Sequence, residues 1–278
     1  LPPTRRCGSQ RPGLNVAPAI APDGTIYTIS RAHFNDGYSY LVAVNPDLSP
    51  KWIASLRDRL TDGCGSSILP PNGQAGGCRI GANPAVDPAT NLLPAGRVTD
   101  LSSSSPVIAP DGSVFYGALT RYNYDRGHLM KFGPDGNFSG AYDFGWDTTP
   151  AISPHDNTYS IVLKDNHYDT GSYCGNPDFC PTAAPGPYSI TSLTSDLRPE
   201  WSYQAGFEWC INAPAVDVNG TVYAGNEDGS LYVIGAGGTL LGNLFLRSAL
   251  GAAYTPLSLG PDGKIYAQNS GHLFVVGN

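Results

Sequence analysis

Good helix formers are scarce in this chain. One Met, three Glu and four Lys occur among 278 residues, and Ala, Leu, Glu and Lys never recur at helical spacing over a useful length, which excludes long helices. Basic clusters are missing as well: nothing exceeds Arg5-Arg6, and the net charge is -7. The chain therefore lacks the surface that neutralising nucleic-acid phosphates requires. Its longest apolar runs, such as 273–276, fall far short of the roughly 18–20 residues that span a bilayer, so no membrane span is expected. No His-Glu-x-x-His, Gly-x-Ser-x-Gly, Cys-x2-Cys or glycine-rich phosphate loop is present, which removes the common signatures of zinc, serine-hydrolase and nucleotide chemistry.

What the chain does have is turn formers and rings. Gly (34) and Pro (25) together make about 21% of it, below the roughly 25–30% that marks low complexity. With 16 Tyr, 9 Phe and 4 Trp it holds ample material for a large core. A phrase recurs: 17–27 (APAIAPDGTIY), 105–116 (SPVIAPDGSVFY), 213–223 (APAVDVNGTVY) and 255–266 (TPLSLGPDGKIY), with looser copies at 149–159 and 66–73. The anchors fall at 18, 67, 106, 150, 214 and 256, a mean of about 46 residues per unit, the length of a four-stranded propeller blade. Each phrase reads as a short strand, an Asp-Gly or Asn-Gly turn supplying positive φ, and a second strand ending in an aromatic residue.

Third and fourth strands follow in most units, as in 41–52, 128–136, 189–201 and 231–234. The prediction is an all-β fold: a single β-propeller domain over 1–278 with six four-stranded blades. The last unit stops at its third strand near 273–278, so residues 2–7 are expected to supply the missing outer strand and close the ring, which removes an exposed sheet edge. Ser-Pro-Ala-Ile-type entries, Pro-Asp-Gly-Thr-Ile-Tyr, the Leu231–Ile234 strand and the closing Trp52 and Trp201 together resemble the PQQ-like, quinoprotein-type β-propeller repeat. That resemblance implies fold more than activity. Enzymes of the family are similar to larger eight-bladed rings with a vicinal disulfide and a calcium-bound quinone. This chain departs from them in having about six units, no Cys-Cys pair and no recognisable quinone motif, so quinone-dependent dehydrogenation is not expected.

The D-to-A and B-to-C connections of a propeller share one face, where long insertions usually build the binding surface. Three B-to-C connections are long here: 31–40, 119–127 and 163–187. They carry Arg31, His33, Asn35, Asp36 and Tyr38; then Arg121, Asn123, Tyr124, Asp125 and Arg126; then Lys164, Asn166, His167, Tyr168 and Asp169. Rings beside amides, carboxylates and cations suit a polyhydroxylated ligand, so a carbohydrate or a protein is the expected partner. The same Asn-Asp-Gly and Asp-x-Gly steps also serve as plain turns bonded to their own backbone. Asp62, Asp100, Asp147 and Glu208 precede A strands in four successive units. Radial symmetry would gather them at the channel mouth, where hard oxygen ligands suit Ca²⁺ or a cationic ligand.

Five scattered histidines form no catalytic motif, although His33 and His167 with the loop tyrosines match what a polysaccharide lyase needs for proton abstraction. The six cysteines allow 15 pairings. Cys174 with Cys180 would stiffen the longest insertion; Cys64 with Cys78 and Cys7 with Cys210 complete one scheme. An even cysteine count, sequons at Asn137 and Asn219, and a start at Leu1 point to a processed or trimmed secreted or periplasmic protein. The expectation is a recognition or scaffold module without catalysis. A lyase or calcium-dependent lactonase- or esterase-type hydrolase at the channel mouth, and a subunit of an extracellular assembly, stand as alternatives.

Overall fold

The computed structural model describes residues 10–13, 16–32, 39–56, 104–119, 127–144, 148–166, 187–209, 213–247 and 256–277. They form twenty strands and no helix, so no helix long and apolar enough to cross a membrane occurs among them. The strands make five antiparallel sheets. The first contains β1 (Gln10–Pro12), β2 (Ala19–Ile20), β3 (Ile26–Ala32), β4 (Ser39–Val44) and β5 (Pro50–Ser55). Then come β6 (Val107–Ile108) to β9 (Phe138–Phe144) through β7 (Val114–Leu119) and β8 (Gly127–Phe132), and β10 (Ala151–His155), β11 (Thr158–Asn166), β12 (Tyr188–Thr194) and β13 (Pro199–Ala205). The fourth sheet holds β14 (Ala215–Val216), β15 (Val222–Gly225), β16 (Ser230–Ile234) and β17 (Leu240–Phe245); the fifth holds β18 (Ser258–Leu259), β19 (Ile265–Asn269) and β20 (His272–Val276).

The turn chemistry follows the repeated phrase. In each Asp-Gly or Asn-Gly hairpin an aspartate accepts the N–H two residues on: Asp23 from Thr25, Asp111 from Ser113, Asp217 from Asn219 and Asp262 from Lys264, at 2.8–3.2 Å. The bonds from Thr25, backbone first and side chain second, together with Lys51, hold the Asp23 carboxyl down at about 2. A glutamate's longer arm does not make this Asx turn, which gives a physical reason for 20 Asp against three Glu. Gly24, Gly112, Gly220 and Gly263 follow at φ between 75° and 82°, the left-handed region that a side chain would strain.

Neighbouring sheets pack face to face through three apolar clusters. Tyr27, Leu41 and Leu56 meet Tyr116, Met130 and Phe132; Phe115 and Leu129 meet Tyr159, Ile161 and Leu193; Val162 and Ile190 meet Trp209, Val222 and Ile234. Each such buried side chain contributes roughly 1.5–3 kcal/mol. The closing tryptophans lock the interfaces. A Cβ at Gly136 (φ 83°) would stand 2.7 Å from the Trp52 ring, and one at Gly238 (φ 80°) 2.9 Å from Trp201. The ring of one sheet thus seats on the turn glycine of the next, and Trp52 Nε1 also donates to the Pro134 carbonyl at 2.9 Å.

Two features differ from the sequence expectation. Trp52 on Gly136 reproduces Trp201 on Gly238, and the latter pair joins consecutive sheets. The first and second sheets are therefore direct neighbours, tied also by Ala17 N–H to Ser105 Oγ at 2.9 Å. Residues 57–103, with the anchor at 67, lie outside the described residues. The second difference concerns the N-terminus. β1 pairs with the upper half of β3, Arg11 opposite Arg31, while β2 pairs with the lower half. Residues 10–12 thus extend the inner strand of the first sheet instead of merely preceding it. The fifth sheet has three strands among the described residues; the closing strand expected from 2–7 lies outside them.

Candidate functional site

β11 is buried along almost its whole length on both faces, as a strand packed between two sheets must be. Its last three residues, Lys164, Asp165 and Asn166, are 1–4% exposed, so each needs a protein partner. Asp165 faces back toward the second sheet, accepting from Tyr142 Oη at 2.8 Å and from Thr191 Oγ1 at 3.0 Å. Lys164 faces the fourth sheet, donating to the Trp209 carbonyl at 2.5 Å and the Gly225 carbonyl at 3.4 Å. Asn166 Oδ1 accepts the Trp209 N–H at 3.1 Å. Charged and amide groups expected to contact a ligand are instead spent on holding the link 206–209 against β11.

That link carries Glu208 to the surface beside the turn joining β15 and β16. Glu227 N–H donates to the Glu208 carbonyl at 3.1 Å, and Asn226 Nδ2 donates to the Phe207 carbonyl at 2.9 Å. Asn269 repeats the second bond to the Arg247 carbonyl at 2.8 Å in the fifth sheet, which places D-to-A links and B-to-C turns on one face, as the repeat predicted. Gly229 lets the next link approach: a Cβ there would meet the Arg247 carbonyl at 2.2 Å, with φ at 91°. Beneath the turn Trp209, fully buried, donates Nε1 to the Tyr188 carbonyl at 3.1 Å and packs edge-on to Tyr203 and Tyr232.

The Glu227 carboxyl lies beside that of Glu208. Partial burial, then the charge of Glu208, push the Glu227 carboxyl up to about 7 against the opposing pull of Lys164. Glu227 therefore holds its proton up toward neutrality and can offer a donor as well as an acceptor. Burial, aided by both glutamates, also raises the nearby Tyr188 hydroxyl. One consequence is measurable. A carboxyl held near 7 when folded, against 4.5 as its ordinary value, keeps a proton that the unfolded chain loses. Stability falls as pH rises between those values and is flat above them. Solvent screening at this half-buried position brings the expected fall to about 1 kcal/mol. Glu227→Gln should abolish the slope and leave the protein about 1 kcal/mol more stable than the parent at pH 8, read from urea unfolding across pH 4–9.

No known protein family and no curated protein matches this chain. Similarities of fold are found among solved structures. A protein of unknown function from Bacteroides caccae aligns at 12% identity and a TM-score of 0.39, over 82% of this chain and 66% of that one. Quinohemoprotein alcohol dehydrogenase from Comamonas testosteroni aligns at 10% and 0.47, over 94% and 53%. The C-terminal WD40 domain of Sif2 aligns at 13% and 0.48, over 91% and 51%. The chain spans between about half and two thirds of these proteins' lengths.

Of the residues expected to form sites, the structure brings together Lys164, Asn166 and Glu208. Arg31 is buried at the far end of the array, opposite Arg11. His33, Asn35, Asp36, Tyr38, Arg121, Asn123, Tyr124, Asp125, Arg126, His167, Tyr168 and Asp169 lie outside the described residues, as do Asp62, Asp100, Asp147 and the cysteines at 7, 64, 78, 174, 180 and 210. Among the described residues no group of three or more His, Cys, Asp or Glu is placed to hold a metal ion; the carboxylate beside Glu208 is Glu227. Loop length passed Glu227 over, because it sits in a tight Asn-Glu-Asp-Gly turn. The signal that could have found it is composition: two of the three glutamates in an aspartate-rich chain occupy this pair.

Proposed function

We propose that this protein is a secreted or periplasmic β-propeller that recognises a carbohydrate at the face bearing Glu208 and Glu227. Five antiparallel sheets, four of them packed side by side through apolar clusters and two of those interfaces closed by a tryptophan, support the propeller, and the resemblance to quinoprotein-type repeats agrees with it. Ring closure through an N-terminal strand on the open edge of β20, with 1–278 as one domain, completes the proposed architecture. The six repeats propose six blades, of which the described residues supply five sheets.

The placing of Glu227, with its raised carboxyl, beside Glu208 carries the functional reading. A carboxyl–carboxylate pair presents a donor and acceptors a few ångströms apart, which matches the adjacent hydroxyls of a sugar, and Tyr188 supplies an aromatic neighbour. Bond cleavage fits the geometry less well. Glycosidases use two carboxyls flanking the scissile bond, roughly 5–5.5 Å apart in retaining enzymes and 6.5–9.5 Å in inverting ones, whereas Glu208 and Glu227 lie side by side on one face. The test is a glycan array followed by calorimetry at pH 6 and pH 8. Hits are expected to lose about tenfold in affinity at the higher pH, as the fraction of protonated Glu227 declines by about that factor per pH unit above 7. Glu227→Gln, which keeps a donor and an acceptor, should bind equally at both pH values, and Glu227→Ala should not bind. An array without hits, or binding unchanged in Glu227→Ala, sinks the reading.

A further inference from the structure

A second polar constellation lies away from this face, at the turn between β10 and β11. The other inner hairpins close with Asp-Gly or Asn-Gly; this one closes with Asp156 and Asn157, at φ 44° and 63°. Both central residues are left-handed, which makes a two-residue primed turn and pairs the strands tightly. His155 then lies opposite Thr158, and Ser153 opposite Ser160. In an antiparallel ladder His155 and Ser160 are diagonal neighbours on one face, within reach of a long side chain. Their side chains meet: His155 Nε2 is 2.8 Å from Ser160 Oγ. The other ring nitrogen, Nδ1, lies 3.6 Å from Asp156 Oδ2.

Carboxylate, imidazole and hydroxyl are thus aligned in the order that activates a serine. The carboxylate favours the tautomer with a proton on Nδ1, which leaves Nε2 free to accept the hydroxyl proton. The His155 and Asp156 side chains are 42% and 96% exposed, while the hydroxyl they serve is enclosed. Ser160 is 8% exposed and opens on a cavity of about 390 Å³ between the third and fourth sheets. Trp201 and Val218 give that cavity apolar walls, and Asn219 lines it from the fourth sheet. Ser192 Oγ on the same wall donates to Glu200 at 2.7 Å, so the neighbouring carboxylate already has a partner and does not compete for Ser160.

We infer that Ser160, with His155 as base and Asp156 orienting it, is a nucleophile toward small carboxylic esters that enter this cavity. Ser160 Oγ attacks the ester carbonyl carbon while its proton passes to His155 Nε2. The C–O bond to the leaving group breaks, and the alkoxide takes that proton and departs as an alcohol. Water, deprotonated by His155, then cleaves the acyl-serine to free acid and restores Ser160. No motif marked this set, because the serine stands in a strand and its base lies only five residues earlier.

The experiment treats the full chain with a fluorophosphonate probe and, separately, with p-nitrophenyl acetate. The expected result is one phosphonylated residue, identified as Ser160 by mass spectrometry of the peptides. Labelling should vanish in Ser160→Ala, fall at least tenfold in His155→Gln and fall severalfold in Asp156→Asn. Ester turnover should decline in the same order. Unfolding midpoints of the three variants check that each is folded, and Ser160→Cys, probed with iodoacetamide, gives a second readout if Ser160→Ala is not. Labelling no faster than that of the urea-unfolded chain, or label retained elsewhere in Ser160→Ala, overturns the proposal. Glu227→Gln should label normally, so this outcome is separate from carbohydrate recognition.

Discussion

Trp209→Ala is expected to remove about 4 kcal/mol of stability, near the middle of the range for deleting a fully buried aromatic ring. The indole has no solvent exposure and sits at the one place where the third sheet, the fourth sheet and the link between them meet. It fills the third apolar cluster with Val162, Ile190 and Val222, and its ring lies 5.1 Å from that of Tyr232 and 6.2 Å from that of Tyr203. Truncation also leaves the Tyr188 carbonyl without its indole donor. Against a typical total of about 5–15 kcal/mol, such a loss brings the fold close to its limit. Urea unfolding should show the midpoint falling with little change in slope. Trp209→Phe separates the contributions: it keeps most of the ring volume, loses the hydrogen bond and should cost about half as much. A loss below about 1 kcal/mol in Trp209→Ala would mean that the link is not anchored here.

Much of this architecture was legible because the repeat encodes backbone geometry directly. Asp-Gly steps set the hairpins, and the turn glycines Gly136 and Gly238 proved to be the seats of the closing Trp52 and Trp201 of the adjacent sheets. The copy at 66–73, with Ser in place of the entry Pro, lies outside the described residues. The role of residues 10–12, by contrast, was hidden. A three-residue strand that shares a partner with another short strand has neither length nor alternation to mark it.

The site was half legible. Lys164 and Asn166 stand where a long connection begins, yet a polar residue at such a loop entry need not point outward. β11 is covered on both sides, so period-2 alternation does not apply, and Lys164, Asp165 and Asn166 are all turned into protein. Long loops are also not where Glu227 meets Glu208: that contact lies in the four-residue turn between β15 and β16. A scarce residue type in a chain with a strong contrary preference was the better guide, because aspartate meets the turn requirement and glutamate must then be present for another reason.

Lys164→Met tests whether the buried cation builds that face. The substitution keeps the length and apolar character of the side chain, so the change is confined to the ammonium group. Nζ donates to the Trp209 and Gly225 carbonyls, and both lose a charged donor in an enclosed setting. Unsatisfied buried acceptors cost roughly 1–3 kcal/mol each, and removing one member of a buried charged network costs about 3–5. The expected loss is about 3 kcal/mol in urea unfolding. The second effect bears on the carboxyl pair. Lys164 opposes the upward push on Glu227, so without it the proton on Glu227 should be held to still higher pH. The decline in stability with rising pH should then extend further into the alkaline range. Placed on a Glu227→Gln background, Lys164→Met should show the structural loss with no pH component. If both backgrounds show the same pH profile, Lys164 acts only as a strut for the link and has no electrostatic part in the pair.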